Sequence, residues 1–298
     1  MMYISDFNYH RPKSLKEAIA ILQNSDDGVP VAGGTDLLVE IKNGLRCHQD
    51  IVSLSEIDEL KSVHEDEQHI YIGAGLTHNE LIASAILRKK LSSLQDALSK
   101  IGSEQIRNKA TLGGNLCTGS SCCDSAPVLM ALNAKVEIYN TKGIKTICLK
   151  DFFVFNRQTI LQKGEILTRI IIPKPQKGTG ICYEKFGLRE ALAISVASVA
   201  VSVRLKKKRC EDACIVLGAV APTPVISRSS IEIMVGKHVS EFYENSPLLV
   251  EIGKAAANDS VPVDDLRGSA RYRKEIIKII TQRAVIKALA FTDREVIR

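Results

Sequence analysis

Residues 29–36 have the sequence Val-Pro-Val-Ala-Gly-Gly-Thr-Asp, in which a short strand-forming run leads into two adjacent glycines and a hydroxyl side chain. The pattern of residues 37–42 predicts that a helix begins directly after these glycines. Glycine lets backbone N–H groups approach a ligand closely, and a helix N-terminus favours phosphate. The segment therefore indicates a phosphate-binding turn, although a plain strand-to-helix connection would use the same residues.

A second glycine-rich segment, residues 103–116, has the sequence Ser-Glu-Gln-Ile-Arg-Asn-Lys-Ala-Thr-Leu-Gly-Gly-Asn-Leu. We expect a loop here, because ordering so many small and polar residues costs entropy that a core would not demand. Its side-chain amides, hydroxyls and glycine N–H groups suit a polar ligand. Hydrogen bonds to a charged diphosphate contribute about 1.5–3 kcal/mol each, so about five or six would hold a cofactor. Two such segments in separate lobes predict a ligand that lies between the lobes.

A third segment, residues 72–78, imitates a dinucleotide-binding fingerprint with the sequence Ile-Gly-Ala-Gly-Leu-Thr-His. However, His78 stands where the third glycine of that fingerprint belongs. No acidic residue ends a strand about 20 residues further on, as the fingerprint requires. We therefore expect an ordinary strand–turn–helix at this position.

Hydrophobic periodicity along the chain predicts an α+β protein with two small α/β lobes and a separate C-terminal region. The lobes cover residues 1–55 and 56–175, and a Pro- and Lys-rich linker at residues 173–178 precedes the C-terminal region at 179–298. Ser14 with Glu17, and Thr77 with Glu80, predict capped helix starts. Further predicted helices cover residues 15–22, 77–87, 91–101 and 274–289, and predicted strands cover 51–54, 70–74, 134–139, 145–148, 166–172, 195–205 and 213–220.

Composition excludes several classes of protein. The 298 residues are 45% hydrophobic and 25% charged, which is typical of a globular chain, and the net charge of +6 is dispersed. The chain has no tryptophan to stack on bases, so we expect no nucleic-acid partner. The longest apolar run is shorter than the ~18 residues of a membrane span, and the N-terminus lacks the apolar core of a signal peptide. We therefore predict a cytoplasmic protein with reduced cysteines.

Taken together, the motifs resemble those of the FAD-binding medium subunits in the xanthine dehydrogenase and carbon monoxide dehydrogenase group of molybdenum hydroxylases. The resemblance covers essentially the whole chain, and its motifs occur in the expected order. They are residues 32–36, 105–108, 111–115, Asp124 with 126–127, 164–167 with 172–173, 183–186 with Arg189, 193–195, 218–224 and 268–273.

The resemblance implies a two-lobed FAD-binding domain of the vanillyl-alcohol-oxidase (PCMH) type, residues 1–175, and a C-terminal flavoprotein domain of antiparallel sheet and helices, residues 179–298. The two glycine-rich segments would hold the diphosphate and ribityl chain, and Asp124 would bind a sugar hydroxyl or a ligand near it. Ile166 and Leu167 would pack on the adenine or flavin, and Lys185 would lie near the cofactor. The full set of implied FAD contacts is Val29, Pro30, Val31, Ala32, Gly33, Gly34, Thr35, Asp36, Thr111, Leu112, Gly113, Gly114, Asn115, Asp124, Ile166, Leu167 and Lys185.

The resemblance also implies partners: a large molybdopterin-binding subunit and a small subunit with two [2Fe-2S] clusters. Electrons would pass through the clusters to FAD and on to NAD or another acceptor, so this chain needs no catalytic or metal-binding residue of its own. Xanthine, another purine, nicotinate, carbon monoxide and aldehydes all stay open as substrates of the complex, with a xanthine-type substrate favoured by family frequency.

Three cysteines beside the second glycine segment raise the alternative of an iron–sulfur site. Cys117, Cys122 and Cys123 have the spacing of no iron–sulfur motif, and we expect buried or idle thiols. We expect Cys210 and Cys214 to be structural as well. The unusual Ser-Ser-Cys-Cys stretch at residues 120–123 leaves room for a second hypothesis, a non-catalytic binding or assembly protein that kept the fold.

Overall fold

The computed structural model describes residues 6–292. The first lobe is a small parallel sheet with strand order β1-β3-β2, joined by two helices. Ser14 caps the first helix by accepting a hydrogen bond from the Glu17 backbone, and the buried face of that helix carries Ala18, Ile19 and Leu22. The elements are β1 (Asn8–His10), α1 (Leu15–Asn24), β2 (Gly28–Val31), α2 (Leu37–Lys42) and β3 (Asp50–Ser53).

The second lobe is an antiparallel sheet with strand order β4-β5-β10-β6-β7, covered by short helices. A two-stranded ribbon, β8 with β9, lies beside it. The strands are β4 (Val63–Glu65), β5 (His69–Gly73), β6 (Lys135–Asn140), β7 (Gly143–Cys148), β8 (Phe153–Phe155), β9 (Gln158–Thr159) and β10 (Ile166–Pro173). The helices are α3 (His78–Ala83), α4 (Ala85–Lys90), α5 (Ser92–Ser99), α6 (Glu104–Arg107), α7 (Leu112–Thr118) and α8 (Ser125–Ala131).

Two predictions for this lobe were wrong. The single helix expected over residues 77–87 is broken at Ser84, which is extended and caps the following helix by accepting from the Leu87 backbone. The loop expected over residues 103–116 contains α6 and the beginning of α7. Thr111 caps α7 by accepting a hydrogen bond from Gly114 N, so both glycines of that segment lie in a helical turn.

The C-terminal region is an antiparallel sheet with strand order β11-β12-β13-β14 and three helices packed on one face. Lys207 and Lys208 are both left-handed and form the two-residue turn between β12 and β13, whose twist matches that of the strands. The elements are β11 (Thr179–Phe186), β12 (Ala197–Lys206), β13 (Arg209–Gly218), β14 (Val225–Ile226), α9 (Arg228–Met234), α10 (Pro247–Asp259) and α11 (Ala270–Phe291).

The other face of this sheet packs on the second lobe. Tyr183, Ala200 and Val216 belong to the same buried core as Ala126 and Leu129 of α8. This shared core holds the C-terminal sheet against the second lobe. None of the helices within residues 6–292 is both long and apolar enough to cross a bilayer.

Candidate functional site

A cavity of about 850 Å³ lies where the two lobes and the C-terminal region meet. This volume is in the range of pockets that hold drug-sized ligands and cofactors, roughly 300–1,000 Å³. Both glycine-rich segments reach it. Of the residues predicted to contact a cofactor, those that line the cavity are Val29, Pro30, Val31, Ala32, Gly33, Gly34, Thr35, Asp36, Thr111, Gly114, Asn115 and Asp124.

The first glycine turn presents backbone donors that nothing else uses. Within residues 6–292, the N–H groups of Gly33, Gly34 and Thr35 have no hydrogen-bond acceptor. Gly34 has a φ of +70°, a conformation that glycine adopts without the cost of a Cβ. Consecutive free N–H groups in a turn form an anion-binding concavity, so this turn is built to receive an anionic group such as a phosphate.

The two glycine segments touch each other directly at Gly33. A Cβ built on Gly33 would lie 2.0 Å from the backbone oxygen of Lys109 and 2.9 Å from the Cα of Ala110. No real side chain tolerates such a distance to backbone. Glycine at position 33 is therefore required for the first turn to lie against the chain that leads into α7.

The two glycines of the second segment do not supply free backbone donors, which corrects the expectation that their N–H groups bind the diphosphate. Leu112 N donates to Leu76 O (3.0 Å), Gly113 N to Ala74 O (2.8 Å) and Gly114 N to the Thr111 hydroxyl (3.0 Å). A Cβ on Gly113 would lie 2.7 Å from Ala74 O, so this glycine permits close packing of α7 on the turn after β5. Leu112 and Gly113 are buried behind the cavity wall and do not line it.

Asn115 is the clearest polar group that the second segment offers. Its side-chain oxygen accepts from the hydroxyl of Ser125 (2.7 Å) and the thiol of Cys123 (3.1 Å), which fixes the orientation of the amide. Its side-chain NH₂ has no acceptor among the described residues and belongs to a residue that lines the cavity. Asn115 can therefore donate to a bound ligand without rearrangement.

Asp124 lines the cavity, but its carboxylate is already engaged. It accepts hydrogen bonds from the Tyr183 hydroxyl (2.7 Å), the Ser195 hydroxyl (2.5 Å) and the Lys185 ammonium (2.6 Å). Burial, followed by the charge of Asp124, raises the pKa of Tyr183 well above its ordinary value, so the phenol keeps the proton that it donates. All three donors come from the C-terminal region, so Asp124 ties that region to the second lobe.

Three further predicted contacts lie outside the cavity wall. Ile166 packs in the core of the first lobe with Leu22, and Leu167 packs in the core of the second lobe. Lys185 pairs with Asp124, donates to the backbone oxygen of Lys100 (2.8 Å), and borders a smaller cavity of about 320 Å³. Their side chains thus support the wall from behind or from the side.

His78 borders the cavity and was missed, because a single histidine in a strand–turn–helix segment carries no sequence signal. The imidazole is buried, and neither ring nitrogen has a hydrogen-bond partner among the described residues. Burial, with a contribution from the charge of Arg107, lowers the pKa of His78 to about 4. The ring is therefore neutral, with one donor and one acceptor unsatisfied.

The three cysteines predicted to be idle also border the cavity. Burial raises the pKa of Cys117 to about 12 and that of Cys123 to about 11, so both thiols stay protonated. Cys122 contacts Arg267, with 3.6 Å between Sγ and Nη1. Within residues 6–292 no cluster of histidine, cysteine and acidic side chains has the arrangement of a metal site.

Apolar side chains also line the cavity that contains the first glycine turn. Ile101, Ile106 and Ala110 lie on the side where Gly33 meets the second segment, and Leu22 lies beside Gly28 at the other. Free amide donors with apolar side chains in the same cavity fit a dinucleotide, whose diphosphate joins two flat ring systems. The residues present therefore fit FAD.

Comparison with known proteins also indicates an FAD-binding protein. Residues 5–175 match the FAD-binding domain in molybdopterin dehydrogenase, and residues 182–288 match the CO dehydrogenase flavoprotein C-terminal domain. The carbon monoxide dehydrogenase medium chain of Afipia carboxidovorans is 32% identical over 290 residues, which cover 97% of this chain and 99% of the relative. The xanthine dehydrogenase FAD-binding subunit of Escherichia coli O157:H7 is 29% identical, with 95% of this chain and 96% of the relative covered.

A chain in a solved structure of carbon monoxide dehydrogenase from Hydrogenophaga pseudoflava superposes with a TM-score of 0.92 at 29% identity, covering 97% of this chain and 99% of that chain. The predicted fold class, α+β with a two-lobed FAD-binding domain and a C-terminal domain, is thereby confirmed. With its free amides, its apolar flanks and these matches over nearly its whole length, the chain belongs to the FAD-binding medium subunits of the xanthine dehydrogenase and carbon monoxide dehydrogenase family of molybdenum hydroxylases.

Proposed function

We propose that this chain holds one FAD in the 850 Å³ cavity and passes electrons from the [2Fe-2S] clusters of a partner subunit to an external acceptor, NAD or another. The observation that carries the proposal is the set of three unpartnered N–H groups at Gly33, Gly34 and Thr35 inside that cavity. These three residues are partly buried, and hydrogen bonds from their N–H groups to a charged diphosphate would contribute about 1.5–3 kcal/mol each.

The residue roles follow from this arrangement. The amides of residues 33–35 and the Thr35 hydroxyl hold the diphosphate, and Asn115 donates its NH₂ from the opposite wall. Residues 29–32, Asp36, Thr111 and Gly114 shape the wall around these donors. We place the FAD-binding domain at residues 1–175 and the C-terminal domain at 179–298, since β10 ends at Pro173 and β11 begins at Thr179.

Bound FAD supplies the exchange of single electrons with iron–sulfur clusters and of electron pairs with an acceptor such as NAD. The chain contributes binding and orientation. Glu40 lies in the cavity wall, where a free carboxylate would repel a diphosphate. Its charge is outweighed by Arg46 (2.9 Å) and Arg157, which both pair with it and also line the cavity, so this group of three carries a net positive charge that favours a diphosphate.

The partners we propose are a large molybdopterin-binding subunit and a small iron–sulfur subunit. The relatives are named as the medium chain or FAD-binding subunit of carbon monoxide and xanthine dehydrogenases, which supports such an assembly. The organic substrate would react on the large subunit. The side chains of this cavity therefore do not select among xanthine, another purine, nicotinate, carbon monoxide or an aldehyde.

Flavin binding by the full-length chain tests the proposal. We expect one FAD per chain, released on denaturation, and competition by ADP, which shares the diphosphate. Riboflavin, which lacks phosphate, should bind much more weakly. A folded chain that binds no FAD, or that binds riboflavin as tightly as FAD, would contradict the role of the glycine turn.

Reduction of the bound flavin by substrate in the assembled complex separates this proposal from the non-catalytic alternative. An electron-relay subunit shows loss of the oxidised flavin absorbance when the substrate of the large subunit is added. An assembly protein would leave that absorbance unchanged even though FAD is bound.

A further inference from the structure

Arg267 lines the FAD cavity from the C-terminal domain. Its guanidinium contacts the second lobe, with 3.6 Å between Arg267 Nη1 and Cys122 Sγ. The same sulfur lies 3.6 Å from Ser195 O, so the C-terminal domain closes the cavity here from two of its segments. We call the part of the cavity around Cys122, Ala193, Ile194 and Arg267 the C-terminal end.

Another end of the cavity lies beside α1, where a Cβ built on Gly28 would lie 3.5 Å from Leu22. β2 begins at Gly28 and leads to the first glycine turn, with a rise of about 3.3 Å per residue. The first glycine turn is therefore separated from α1 by the length of β2.

Short contacts connect the glycine turn with the C-terminal end. A Cβ built on Gly114 would lie 4.0 Å from the Cβ of Ala32, which precedes the turn. Asn115 follows Gly114, and its side-chain oxygen accepts from the thiol of Cys123, the neighbour of Cys122. Of the two rings that a diphosphate at the turn would join, one therefore reaches towards α1 and the other towards the C-terminal end.

The C-terminal end offers hydrogen-bond donors to a ring. Nη1 of Arg267 carries two N–H groups, and the sulfur of Cys122 can accept one of them. The other N–H has no acceptor within residues 6–292, and the side-chain NH₂ of Asn115 has none there either. The isoalloxazine ring of FAD carries two carbonyl oxygens that accept such bonds, whereas adenine carries none. The isoalloxazine therefore suits this end of the cavity.

Arg267 is held in place and carries a charge that its partner does not cancel. Asp265 accepts from Nη2 (2.7 Å) and Nε (3.1 Å) of Arg267, and the buried Arg273 donates to the same carboxylate (2.5 Å). Two guanidinium groups thus share one carboxylate, which leaves a net positive charge. Burial opposes the charged form of Arg267, but the hydrogen bonds with Asp265 outweigh burial and raise the pKa of the guanidinium above its ordinary value.

Other charged groups near the C-terminal end contribute little to its field. Lys185 and Asp124 form a buried pair at 2.6 Å and cancel each other. The remaining charged side chains of the two adjoining segments are exposed, so solvent and salt screen them. They are Arg189, Glu190, Asp264 and Arg271. Arg267, with its share of Asp265, therefore sets the charge that a ring at this end meets.

We propose that Arg267 raises the reduction potential of the bound FAD and so makes the flavin a better electron acceptor; this rests on the proposed function. Uptake of two electrons and one proton at N5 leaves a negative charge on the N1–C2=O edge of the isoalloxazine. A fixed cation in the cavity stabilises that reduced form relative to the neutral oxidised ring, since charge near N1 tunes the electronics of a flavin. The diphosphate carries the same charge in both forms, so this effect is separate from binding.

Sulfite affinity and the midpoint potential of the full-length FAD-loaded chain test this role. Sulfite adds to N5 of the oxidised flavin and places a negative charge on the same N1–C2=O edge, so its affinity reports the stabilisation of that charge. We expect Arg267→Gln to weaken sulfite binding about tenfold, the effect of one unit charge at a partly buried position. The midpoint potential should fall by about 30 mV, which is a tenfold change for a two-electron couple.

Two further variants separate charge from shape. Arg267→Lys keeps the positive charge without the planar fork, so its sulfite affinity should stay within about threefold of the wild type. Arg271→Gln is the matched control, since Arg271 is exposed and does not line the cavity. Removal of that screened charge should change the sulfite affinity by less than about threefold.

Flavin content is measured on each variant, so that binding and tuning are distinguished. Sulfite affinity and midpoint potential of Arg267→Gln equal to those of Arg271→Gln would overturn the inference, as would an Arg267→Lys chain that behaves like Arg267→Gln. A folded Arg267→Gln chain that holds no FAD would also overturn it, because Arg267 would then serve binding. A folded wild-type chain that binds no FAD would instead refute the proposed function.

Discussion

Replacing Asp124 with asparagine tests whether this carboxylate joins two regions of the chain or binds the cofactor. Family resemblance places Asp124 among the FAD contacts. In the structure its two oxygens accept three hydrogen bonds, all from the C-terminal domain, and the ion pair with Lys185 is buried, with side-chain exposures of 7% and 8%. We expect Asp124→Asn to reduce stability far more than it reduces affinity for FAD.

The magnitude follows from what asparagine keeps and loses. Its amide oxygen can still accept from Tyr183 and Ser195, but its NH₂ group faces the ammonium of Lys185. Lys185 then retains only the backbone oxygen of Lys100 as a partner for a buried charge. Removing one member of a buried ion pair costs about 3–5 kcal/mol, and we expect the lower end of that range because two hydrogen bonds survive.

Urea unfolding followed by far-ultraviolet circular dichroism measures this loss, with FAD affinity determined in parallel by flavin fluorescence. A double-mutant cycle with Lys185→Met isolates the pair. Methionine removes the uncompensated charge, so the double variant should be more stable than Asp124→Asn alone, with a coupling energy of about 1–3 kcal/mol.

The opposite pattern would refute this reasoning. Stability within about 1 kcal/mol of the wild type, the size of an ordinary substitution, together with FAD affinity at least about tenfold weaker, would make Asp124 a ligand of the cofactor. A coupling energy near zero would show that the contact with Lys185 contributes nothing to stability.

Three further predictions concern the cavity wall. Gly33→Ala should abolish FAD binding, because its Cβ would lie 2.0 Å from Lys109 O and force the two glycine segments apart. Gly73→Ala is the control, because its Cβ would lie 2.2 Å from Leu60 O and Gly73 does not line the cavity. This control should lose about 1–3 kcal/mol of stability and still bind FAD. The pKa of His78 is about 4 in the folded chain and 6.5 when unperturbed. Between pH 4 and pH 6.5 the unfolded state therefore binds a proton at His78 and the native state does not. The contribution of His78 to stability is therefore fully present above pH 6.5 and is lost as the pH falls towards 4. The loss is roughly 3 kcal/mol, at about 1.4 kcal/mol per pKa unit. His78→Leu should make the urea midpoint of unfolding less dependent on pH over that range. An unchanged pH dependence in His78→Leu would assign the acid sensitivity to other groups. Glu40→Gln removes the carboxylate that balances Arg46 and Arg157, so FAD should bind about two- to fivefold more tightly at low ionic strength and equally at high ionic strength; equal affinity at both would show that this charge does not reach the diphosphate.

Elements whose residues follow one dominant periodicity were predictable from the sequence. The range of α2 agrees with its prediction, and the strands of the β6–β7 and β12–β13 hairpins differ from theirs by a few residues at their ends. The alternation of side-chain burial in β6 and β7, and the continuous run of buried side chains in β12, are local properties of the sequence. The helix predicted over residues 77–87 was not predictable as two helices, because Ser84 breaks it by capping the second helix from an extended backbone.

The sequence of α7 shows why its glycine content led to the wrong prediction of a loop. Two glycines in one turn disfavour a helix by about 1 kcal/mol each. The turn is nevertheless helical because Leu112 N and Gly113 N find acceptors at Leu76 and Ala74, on a different strand-to-helix connection. Such long-range partners are invisible to local patterns. For the same reason the pairing of Lys185 with Asp124 could not be read from the sequence, although both residues were singled out.

The two glycine segments therefore have different tasks, which their similar sequences conceal. The first leaves three N–H groups free and is the donor. In the second, the N–H groups of Leu112, Gly113 and Gly114 are bonded within the protein, and the segment serves as a fixed support. A free turn with left-handed Gly34 would lose entropy on binding a phosphate. Contact between Gly33 and Lys109 removes much of that freedom beforehand, because the support is itself hydrogen-bonded to the second lobe. Affinity for the diphosphate thus depends on the fit between the lobes as much as on the donors themselves.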